Sequence, residues 1–371
     1  MNPSIDLDDG ARRADTGETP LDDTALSDTA LDAQLGGADR LVLLSVLSGS
    51  WLAQAAYAVA KLGVPDLMAG GPREAGEMAA HCDADPDALH RMLRALAAVG
   101  LFDETAPRTY GLTGAGDLLR SDGARSARLG AIMYGEEVFR SFAEIMHTAR
   151  TGEPAFDRAY GMGFYEYLDA NPAAQRTFNE AMAGLRETPA VLRTGCGLDG
   201  VGTLVDVGGG TGNLLADVLG AHPGMRGVLL ELPETVRQAR ERLEDAALLD
   251  RVELVEGSFF DRVPSGGDLY VLARCLHNWP DDKAVEILRT VRAAMRPGAR
   301  LVVLEKLIPE GPGFSPAKLL DLLMLVMVAG RDRTETEYRD LLVRSGFEIV
   351  AAHPAPVPDP RAESAIEAAA V

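Results

Sequence analysis

The sequence predicts an α/β protein in which a doubly wound, mostly parallel sheet follows a smaller helical domain. Three observations support this fold class. From about residue 198, short apolar segments alternate with longer amphipathic ones, as strands and helices alternate in parallel sheets. The earlier part, from about residue 39, carries apolar residues at helical spacing. A glycine cluster in "LVDVGGGTGNLL" marks the kind of turn at which such sheets bind a ligand.

The chain is strongly acidic, with a formal net charge of −20 over 371 residues. Such a chain repels polyphosphates, so nucleic acid is not expected as a partner. Residues 1–39 contain ten acidic residues, two arginines and no aromatic residue. We therefore expect a disordered acidic tail over residues 1–38.

Cysteine usage and the N-terminus predict a cytoplasmic protein. Cys82, Cys196 and Cys275 are far apart in the chain, which argues against disulfides and against a zinc site. The six histidines show no close pairing typical of metal ligands, so no metal is expected. The chain begins without a signal-peptide pattern, and no apolar run reaches the roughly 18 residues of a membrane span, so no membrane contact is expected.

Residues 39–125 are predicted to form a winged-helix-like dimerisation domain. The stretch 41–60 is apolar on more than one face, which is typical of a helix covered by a partner subunit, so we expect a homodimer. Next come a helix, a turn, a second helix capped by Asp85 with Pro86 at its first position, and a short hairpin. DNA binding by a winged-helix regulator is the alternative, but the second helix lacks a basic face.

Residues 126–197 are predicted to be connecting helices that contribute to a substrate pocket. The stretch "FYEYLDANPAAQRTFNEAMAGL" clusters aromatic and other apolar side chains. Most of these are expected to pack in a core, and a subset to line an apolar pocket.

Residues 198–371 contain the alternating pattern of the sheet. The predicted strands are "TLVDVGGG", "GVLLELP", "VELVEG", "DLYVLARCL" and "ARLVVLEKLI", with a closing antiparallel hairpin near the C-terminus. The predicted helices are "NLLADVLGAHP", "ETVRQARERLEDAAL", "KAVEILRTVRAAMRPG" and "TETEYRDLLVRSG".

The glycine turn and the carboxylates around it predict nucleoside binding. Glu231 ends the second strand, 19 residues after Gly212, where a carboxylate can accept hydrogen bonds from a ribose diol. The dinucleotide pattern G-x-G-x-x-G fails because Asn213 stands at its third glycine. Asp206 at the head of the turn would repel a pyrophosphate and suits a cation, such as the α-ammonium of S-adenosylmethionine.

Taken together, these motifs resemble the caffeic-acid-type small-molecule O-methyltransferases, and more closely their bacterial relatives of natural-product biosynthesis. The resemblance runs from about residue 40 to the end and includes "DVGGGTG", "LLELPETV", "EGSFFD", "LHNWPDD", "LVVLEKLI" and "DLLMLVMVAGRDRTETEY". It implies a Rossmann-like methyltransferase domain over 198–371 with S-adenosylmethionine as cofactor and S-adenosylhomocysteine as product.

The resemblance also implies which residues hold the cofactor. The glycine loop would hold the methionine part and Glu231 the ribose. Ser258 stands where the family has an aspartate, so its contact is uncharged. The implied set is Asp206, Gly208, Gly210, Glu231, Leu232, Ser258, Phe259, Arg274 and Trp279.

His277 matches the general base of the family. A phenol has a pKa of about 10 and an imidazole about 6.5, so full deprotonation before attack would cost about 5 kcal/mol. Removal of the proton during attack avoids most of this cost and is typically worth about 10²- to 10⁴-fold. Glu305 matches the orienting partner of the base, and Asp332 stands where the family has a glutamate.

The resemblance predicts methyl transfer to a phenolic hydroxyl of a secondary metabolite. Non-methylating chemistry on the same fold, a nucleoside-sensing regulator and a nicotinamide dehydrogenase are the alternatives. Arg186 stands where relatives have a small hydroxyl residue, and it has no assigned role. The implied substrate-contacting residues are Phe178, Met182, Asn278, Asp321, Met324 and Met327.

Overall fold

A computed structural model describes residues 37–123, 126–185, 190–355 and 363–371. Residues 1–36, which make up nearly all of the predicted acidic tail, and Arg186 lie outside the described residues. The chain divides into two compact units after Ser50. The first helix, α1 (Gly37–Lys61), runs across this division.

Helix α1 carries a row of exposed apolar side chains. Leu43 is 59% exposed and Val46 is 71% exposed. The hydroxyls of Ser45 and Ser48 donate to backbone carbonyls one turn earlier, so they are satisfied within the helix. The exposed surface therefore presents mainly hydrocarbon.

One helix in the described part of the chain, Asp39–Lys61, is long and apolar enough to cross a membrane by length and composition alone. Serines and Gln54 interrupt its apolar residues, so a count of consecutive apolar positions falls short of a span. The expectation of no membrane contact stays a prediction. A helix covered by a partner subunit meets the same criterion.

The residues that follow form helix, turn, helix and hairpin, as predicted. Asp85 accepts hydrogen bonds from the backbone N–H groups of Asp87 and Ala88, and Pro86 occupies the first helical position. The three strands pair antiparallel in the order β1-β3-β2. The elements are α2 (Val64–Leu67), β1 (Arg73–Glu74), α3 (Ala75–His81), α4 (Pro86–Ala98), β2 (Phe102–Ala106), β3 (Thr109–Leu112) and α5 (Gly114–Asp117).

The connecting region is helical, also as predicted. Most of its aromatic side chains pack into one cluster around Phe156, which is fully buried, while Tyr134 and Phe139 lie outside this cluster. The elements are α6 (Arg128–Met133), a π-helical turn (Tyr134–Val138), α7 (Phe139–Phe142), α8 (Ile145–Thr151), α9 (Ala155–Tyr160), α10 (Phe164–Ala170), α11 (Pro172–Leu185) and α12 (Ala190–Thr194).

A seven-stranded mixed sheet forms the rest of the chain. Its order is β6-β5-β4-β7-β8-β10-β9; the first five strands in this order are parallel, and β10 is antiparallel to both of its neighbours. All predicted strands are present, including the closing hairpin. They are β4 (Thr203–Val207), β5 (Arg226–Glu231), β6 (Val252–Glu256), β7 (Leu269–Ala273), β8 (Arg300–Glu305), β9 (Phe347–His353) and β10 (Ser364–Ala370).

Helices cover both faces of this sheet, because alternate strand residues point to opposite sides. On one face Val205 and Val207 pack in the same core as Leu288, and on the other Leu204 packs with Leu215. The helices that follow β4 in the chain are α13 (Asn213–Ala221), α14 (Pro233–Asp245), α15 (Asp281–Ala294), α16 (Pro316–Val328) and α17 (Glu335–Arg344). Of these, α16 packs against α9 of the connecting region. The predicted helices correspond to α13, α14, α15 and α17.

Helix α16 was not predicted. Its sequence, "PAKLLDLLMLVMV", is apolar almost throughout, so it shows neither the helical nor the strand period. It connects the end of β8 to the turn before α17, and it forms part of the wall of the site.

Candidate active site

The site lies at the point where the strand order reverses. After β4 the chain adds β5 and β6 on one side, and then returns to place β7 on the other side of β4. Doubly wound sheets bind ligands beyond the carboxyl ends of their strands at such a point. A cavity of about 670 Å³ lies here.

The glycine turn after β4 brings backbone close to other groups. Gly208 has a φ of +69°, and a Cβ there would lie 2.9 Å from the Cys275 Sγ. The Gly210 N–H donates to the Glu231 Oε2 at 3.1 Å, which joins the turn to the end of β5. Gly208, Gly210 and Glu231 all line the cavity.

Asp206 presents an unpaired carboxyl group to the cavity. It is fully buried, and neither of its oxygens has a hydrogen-bond partner within the described residues. Burial, assisted by the charge of Glu231 and opposed by Arg274, raises the pKa of Asp206 to about 7. A buried carboxylate without a partner is costly, so this position favours a ligand that brings a cationic donor.

Glu231 is held by the turn and by its own helix start. Its carboxylate accepts from the Gly210 N–H and, at 2.8 Å, from the Leu232 N–H. Burial raises its pKa, while these two N–H groups oppose that rise. Leu232, Ser258 and Phe259 line the same cavity.

Arg274 forms an ion pair that the sequence did not suggest. It stands directly after β7 with a φ of +58°, and its Nη1 lies 2.9 Å from both carboxylate oxygens of Glu363. Both residues line the cavity. Glu363 lies 89 residues further along the chain and immediately before β10, where no local pattern marks it.

The imidazole of His277 is buried between two carboxyl groups. Its Nδ1 lies 3.1 Å from the Asp332 Oδ1 and 3.9 Å from the Glu305 Oε2. A carboxylate only accepts hydrogen bonds, so Nδ1 carries the hydrogen and Nε2 is the free nitrogen. His277 is 3% exposed and lines the cavity.

Glu305 lies at ion-pair distance from the imidazole of His277 and not at hydrogen-bond distance. The structure places Asp332, and not Glu305, within hydrogen-bond distance of the imidazole. The Glu305 Oε1 instead accepts from the backbone N–H groups of Leu276 and His277, at 3.0 and 3.3 Å. Burial, assisted by the charge of Asp332 and opposed by His277, raises the pKa of Glu305 to about 7.

An aspartate side chain is shorter than the glutamate that the family has at this position. Asp332 still reaches the imidazole, because the backbone next to it lies close to the backbone of His277. The Arg331 N–H donates to the His277 carbonyl at 2.8 Å. Gly330 allows this approach, since a Cβ there would lie 2.3 Å from the same carbonyl oxygen.

Two groups of side chains in the described ranges have the composition and spacing of metal ligands. One is His277 with Glu305 and Asp332, and its ligand atoms all lie within 4.8 Å of one another. The other is Cys196 with His353 and Glu367, away from the cavity. These residues are too far apart in sequence for spacing to reveal them, and the expectation of no metal stays a prediction.

Aromatic side chains build the wall next to the base. The Trp279 ring stacks on Tyr165, with centroids 5.8 Å apart and an angle of 15° between the planes. Phe260 meets Trp279 edge-on at 4.8 Å. Phe260 was not predicted, and Tyr165 was predicted only as one of a cluster of which a subset lines a pocket. Aromatic residues in a helix or after a strand are as common in a core as in a site.

Most of the predicted substrate-contacting residues line the cavity, but Asp321 does not. Its Oδ1 accepts from the Asp332 N–H at 3.0 Å, so it holds the backbone of a site residue. The predicted residues that line the cavity are Phe178, Met182, Asn278, Met324 and Met327.

These features together fit an S-adenosyl ligand. Asp206 offers unpaired carboxyl oxygens for an ammonium group, and Glu231 offers a carboxylate beyond the glycine turn for a diol. Trp279 and Phe259 add flat apolar surface.

Comparisons with known proteins agree with this site. The family model described as the O-methyltransferase domain matches residues 139–348, and that of the O-methyltransferase dimerisation domain matches residues 44–122. This chain belongs to the S-adenosylmethionine-dependent O-methyltransferases of bacterial natural-product biosynthesis. The fold class and the family resemblance predicted from the sequence are confirmed.

Three individual proteins illustrate how similar this O-methyltransferase is to its relatives. It is 42% identical to the O-demethylpuromycin-O-methyltransferase of Streptomyces alboniger, over 85% of each chain. It is 39% identical to the 8-amino-8-demethylriboflavin N,N-dimethyltransferase of Streptomyces davaonensis, over 81% of this chain and 87% of the relative. Among solved structures, an O-methyltransferase from neocarzinostatin biosynthesis is 35% identical with a TM-score of 0.74, over 86% of this chain and 96% of that one. That structure contains S-adenosylmethionine and 2-hydroxy-5-methyl naphthoic acid.

The affinity of this O-methyltransferase for S-adenosylhomocysteine should rise as the pH increases through about 7. Ionised Asp206 pairs best with the ligand ammonium, and its pKa of about 7 means that binding must release a proton at lower pH. Calorimetry from pH 6 to pH 8 measures the trend. The Asp206→Asn variant should bind S-adenosylhomocysteine weakly and without this pH dependence, whereas Glu305→Gln should keep the pH dependence. A constant or falling affinity for the unmodified protein would refute the assignment.

Proposed function

We propose that this O-methyltransferase transfers the methyl group of S-adenosylmethionine to a phenolic hydroxyl of an aromatic secondary metabolite, with His277 as the general base. The observation that carries the proposal is the hydrogen bond from the Nδ1 of His277, a residue that lines the cavity, to the carboxylate of Asp332 behind it. It holds the ring in the tautomer whose Nε2 is free to accept a proton.

The proposed reaction needs one proton transfer and one displacement. When bound, the cofactor supplies an electrophilic methyl group on a positively charged sulfur. The acceptor oxygen forms a bond to this carbon as the carbon–sulfur bond breaks and its electron pair stays on sulfur. His277 takes the hydroxyl proton at Nε2 during the attack. The protein also holds the two reactants in alignment, which is the other large contribution to the rate enhancement.

Two carboxyl groups stabilise the imidazolium that this proton transfer creates. Asp332 accepts the Nδ1–H directly, and Glu305 lies 3.9 Å away. Because His277, Glu305 and Asp332 are almost completely buried, little water screens their interaction. No Lewis acid is needed for displacement on a sulfonium, so we propose that the reaction is metal-free.

An aromatic acceptor is proposed because of the side chains around the cavity. Phe178, Met182 and Met324 provide apolar surface, and the Trp279–Tyr165 stack provides a flat one. Sites for aromatic small molecules are built from such side chains with few polar groups. The substrate names of the relatives, which include a naphthoic acid and a demethylpuromycin, fit this class.

Methyl transfer to nitrogen is the second candidate, because two relatives are named as methyltransferases that act on nitrogen. A neutral aromatic amine attacks with its own lone pair and can lose its proton afterwards. A phenol gains much more from a base at the moment of attack. The buried His277–Asp332 pair therefore favours the hydroxyl acceptor.

A homodimer and a cytoplasmic location complete the proposal. The dimerisation-domain match begins at residue 44, within the exposed apolar part of α1. All three cysteines are free, as expected in a reducing compartment.

Replacing the base should abolish methyl transfer without abolishing cofactor binding. His277→Ala should lower kcat by about 10²- to 10⁴-fold, because proton removal during attack is lost. Purified protein is incubated with labelled S-adenosylmethionine and a panel of paired phenols and anilines, and the methylated products are quantified. Calorimetry with S-adenosylhomocysteine verifies that the variant is folded and binds.

Phe178→Leu is the matched control, since it alters the same cavity without removing the base and should change the preference among acceptors more than the proton-transfer step. Dialysis against EDTA should leave the rate unchanged. Undiminished phenol methylation by His277→Ala would show that the base assignment is wrong. If only the anilines of the panel were methylated, methyl transfer to nitrogen would be favoured over transfer to a hydroxyl.

Negative charges introduced on the exposed surface of α1 should dissociate the proposed dimer into monomers. Leu43→Glu combined with Leu47→Glu places two carboxylates on the exposed apolar surface, where burial against a partner would be costly. Analytical ultracentrifugation should find a dimer for the unmodified protein and a monomer for this variant. Val343→Glu adds a charge at another exposed apolar position, 62% exposed on α17, and should leave the dimer intact. A monomeric unmodified protein would contradict the proposal.

A further inference from the structure

Arg333 is buried and uses all of its hydrogen-bond donors. Its side chain is 1% exposed, although arginine is among the residues least often buried. A guanidinium has five N–H groups, and five hydrogen bonds are present. Nε and Nη2 donate to the Asp281 Oδ1 at 3.0 and 2.8 Å; Nη2 also donates to the Trp279 carbonyl at 2.8 Å; Nη1 donates to the carbonyls of Leu276 and Arg331 at 3.2 and 3.0 Å.

The acceptors belong to the two segments that meet at the base. The carbonyls of Leu276 and Trp279 lie on either side of His277 in the chain, and Asp281 starts α15 directly after them. Arg333 itself follows Asp332. One guanidinium therefore joins the segment that carries the base to the segment that carries its carboxylate.

Asp281 remains ionised against this guanidinium. Burial disfavours its charge, but the hydrogen bonds and positive charge of Arg333 outweigh this, and the pKa of Asp281 lies below its ordinary value. The pair is charge-assisted, which makes its hydrogen bonds stronger than neutral ones.

The backbone of Arg333 is also anchored. Its carbonyl accepts from the Ile308 N–H at 2.9 Å, and it forms a parallel bridge with Leu307 beyond the end of β8. Its guanidinium lies 5.6 Å from the centre of the buried Tyr338 ring. The contacts of Arg333 therefore act on the position of Asp332 from its C-terminal side, while Asp321 holds the Asp332 N–H.

We propose that Arg333, held by Asp281, is a positioning residue that sets the distance between Asp332 and His277. This inference rests on the proposed function only in so far as the His277–Asp332 pair serves as the base. Lysine has three donors on one flexible atom and cannot contact the same four acceptors in a plane.

Arg333→Lys should lower kcat by about 10- to 100-fold, because a small misplacement of a catalytic group is enough for such a loss. The KM for S-adenosylmethionine should change much less. Arg339→Lys is the matched control, since Arg339 is 39% exposed and pairs with Glu335 on α17, and it should keep normal kcat. Equal kcat for both lysine variants would overturn the proposal.

A double-mutant cycle separates positioning from a general structural effect. If Arg333 acts through Asp332, then adding Arg333→Lys to Asp332→Asn should cause little further loss of kcat. Losses that multiply independently, accompanied by a lower Tm, would show that Arg333 contributes to stability alone and would overturn the proposal. If His277→Ala remained active, the base assignment would be wrong, but the positioning role of Arg333 could still be tested. A crystal structure reports the distance between His277 and Asp332 without any turnover.

Crystal structures of the unmodified protein and of Arg333→Lys, each with S-adenosylhomocysteine, report the distance directly. The separation of the His277 Nδ1 from Asp332 should lengthen beyond hydrogen-bond range in the variant. An unchanged separation would overturn the proposal. Asp281→Asn keeps the carbonyl contacts of Arg333 and weakens its charged one, so it provides the same measurement if Arg333→Lys does not fold.

Discussion

The burial of carboxyl groups is the constraint on which the site depends. Asp206, Glu305 and Asp332 are each at most 1% exposed, and a carboxylate removed from water must find a donor or take up a proton. Glu305 finds two backbone N–H groups at the start of a helical turn, and Asp332 finds the imidazole of His277. Asp206 has no hydrogen-bond partner in the described chain, and we propose it as a binding position for this reason. The same rule, applied to a buried cation, explains why Arg333 contacts four acceptors.

The parallel sheet concentrates these groups in one place. Strands β4, β5, β7 and β8 end at the same edge, so residues separated by up to about a hundred positions meet around one cavity. Backbone N–H groups just beyond the strand ends donate hydrogen bonds to the carboxylates. The helices of the connecting region line the cavity with aromatic rings. Most of the polar groups are thus positioned by the ends of the strands, whereas the aromatic wall of the cavity comes from the connecting helices.

The parts that follow from local signals could be predicted from the sequence. Alternation of apolar segments predicts the strands of the sheet, and Asp85 before Pro86 predicts a helix start that the structure contains. Asp206 and Glu231 are identifiable because each stands at the end of an apolar strand, next to glycine or to a helix start. Core packing does not require a polar residue at the end of an apolar strand. His277 is marked in the same way, and the family resemblance then supplies its role.

Contacts between distant segments could not be predicted. Nothing local indicates that Arg333 contacts Asp281, 52 residues earlier, or that Glu363 contacts Arg274. The reach of Asp332 depends on a close backbone approach at Gly330, which side-chain length alone does not reveal. In the proposed reaction the free Nε2 of His277 faces the reacting atoms, and a crystal structure with S-adenosylhomocysteine and a methylated product would show its orientation. We expect the ligand ammonium at Asp206 and the product oxygen between Nε2 and the sulfur. An Nε2 turned away from that oxygen, or a sulfur remote from His277, would show that His277 is not the base.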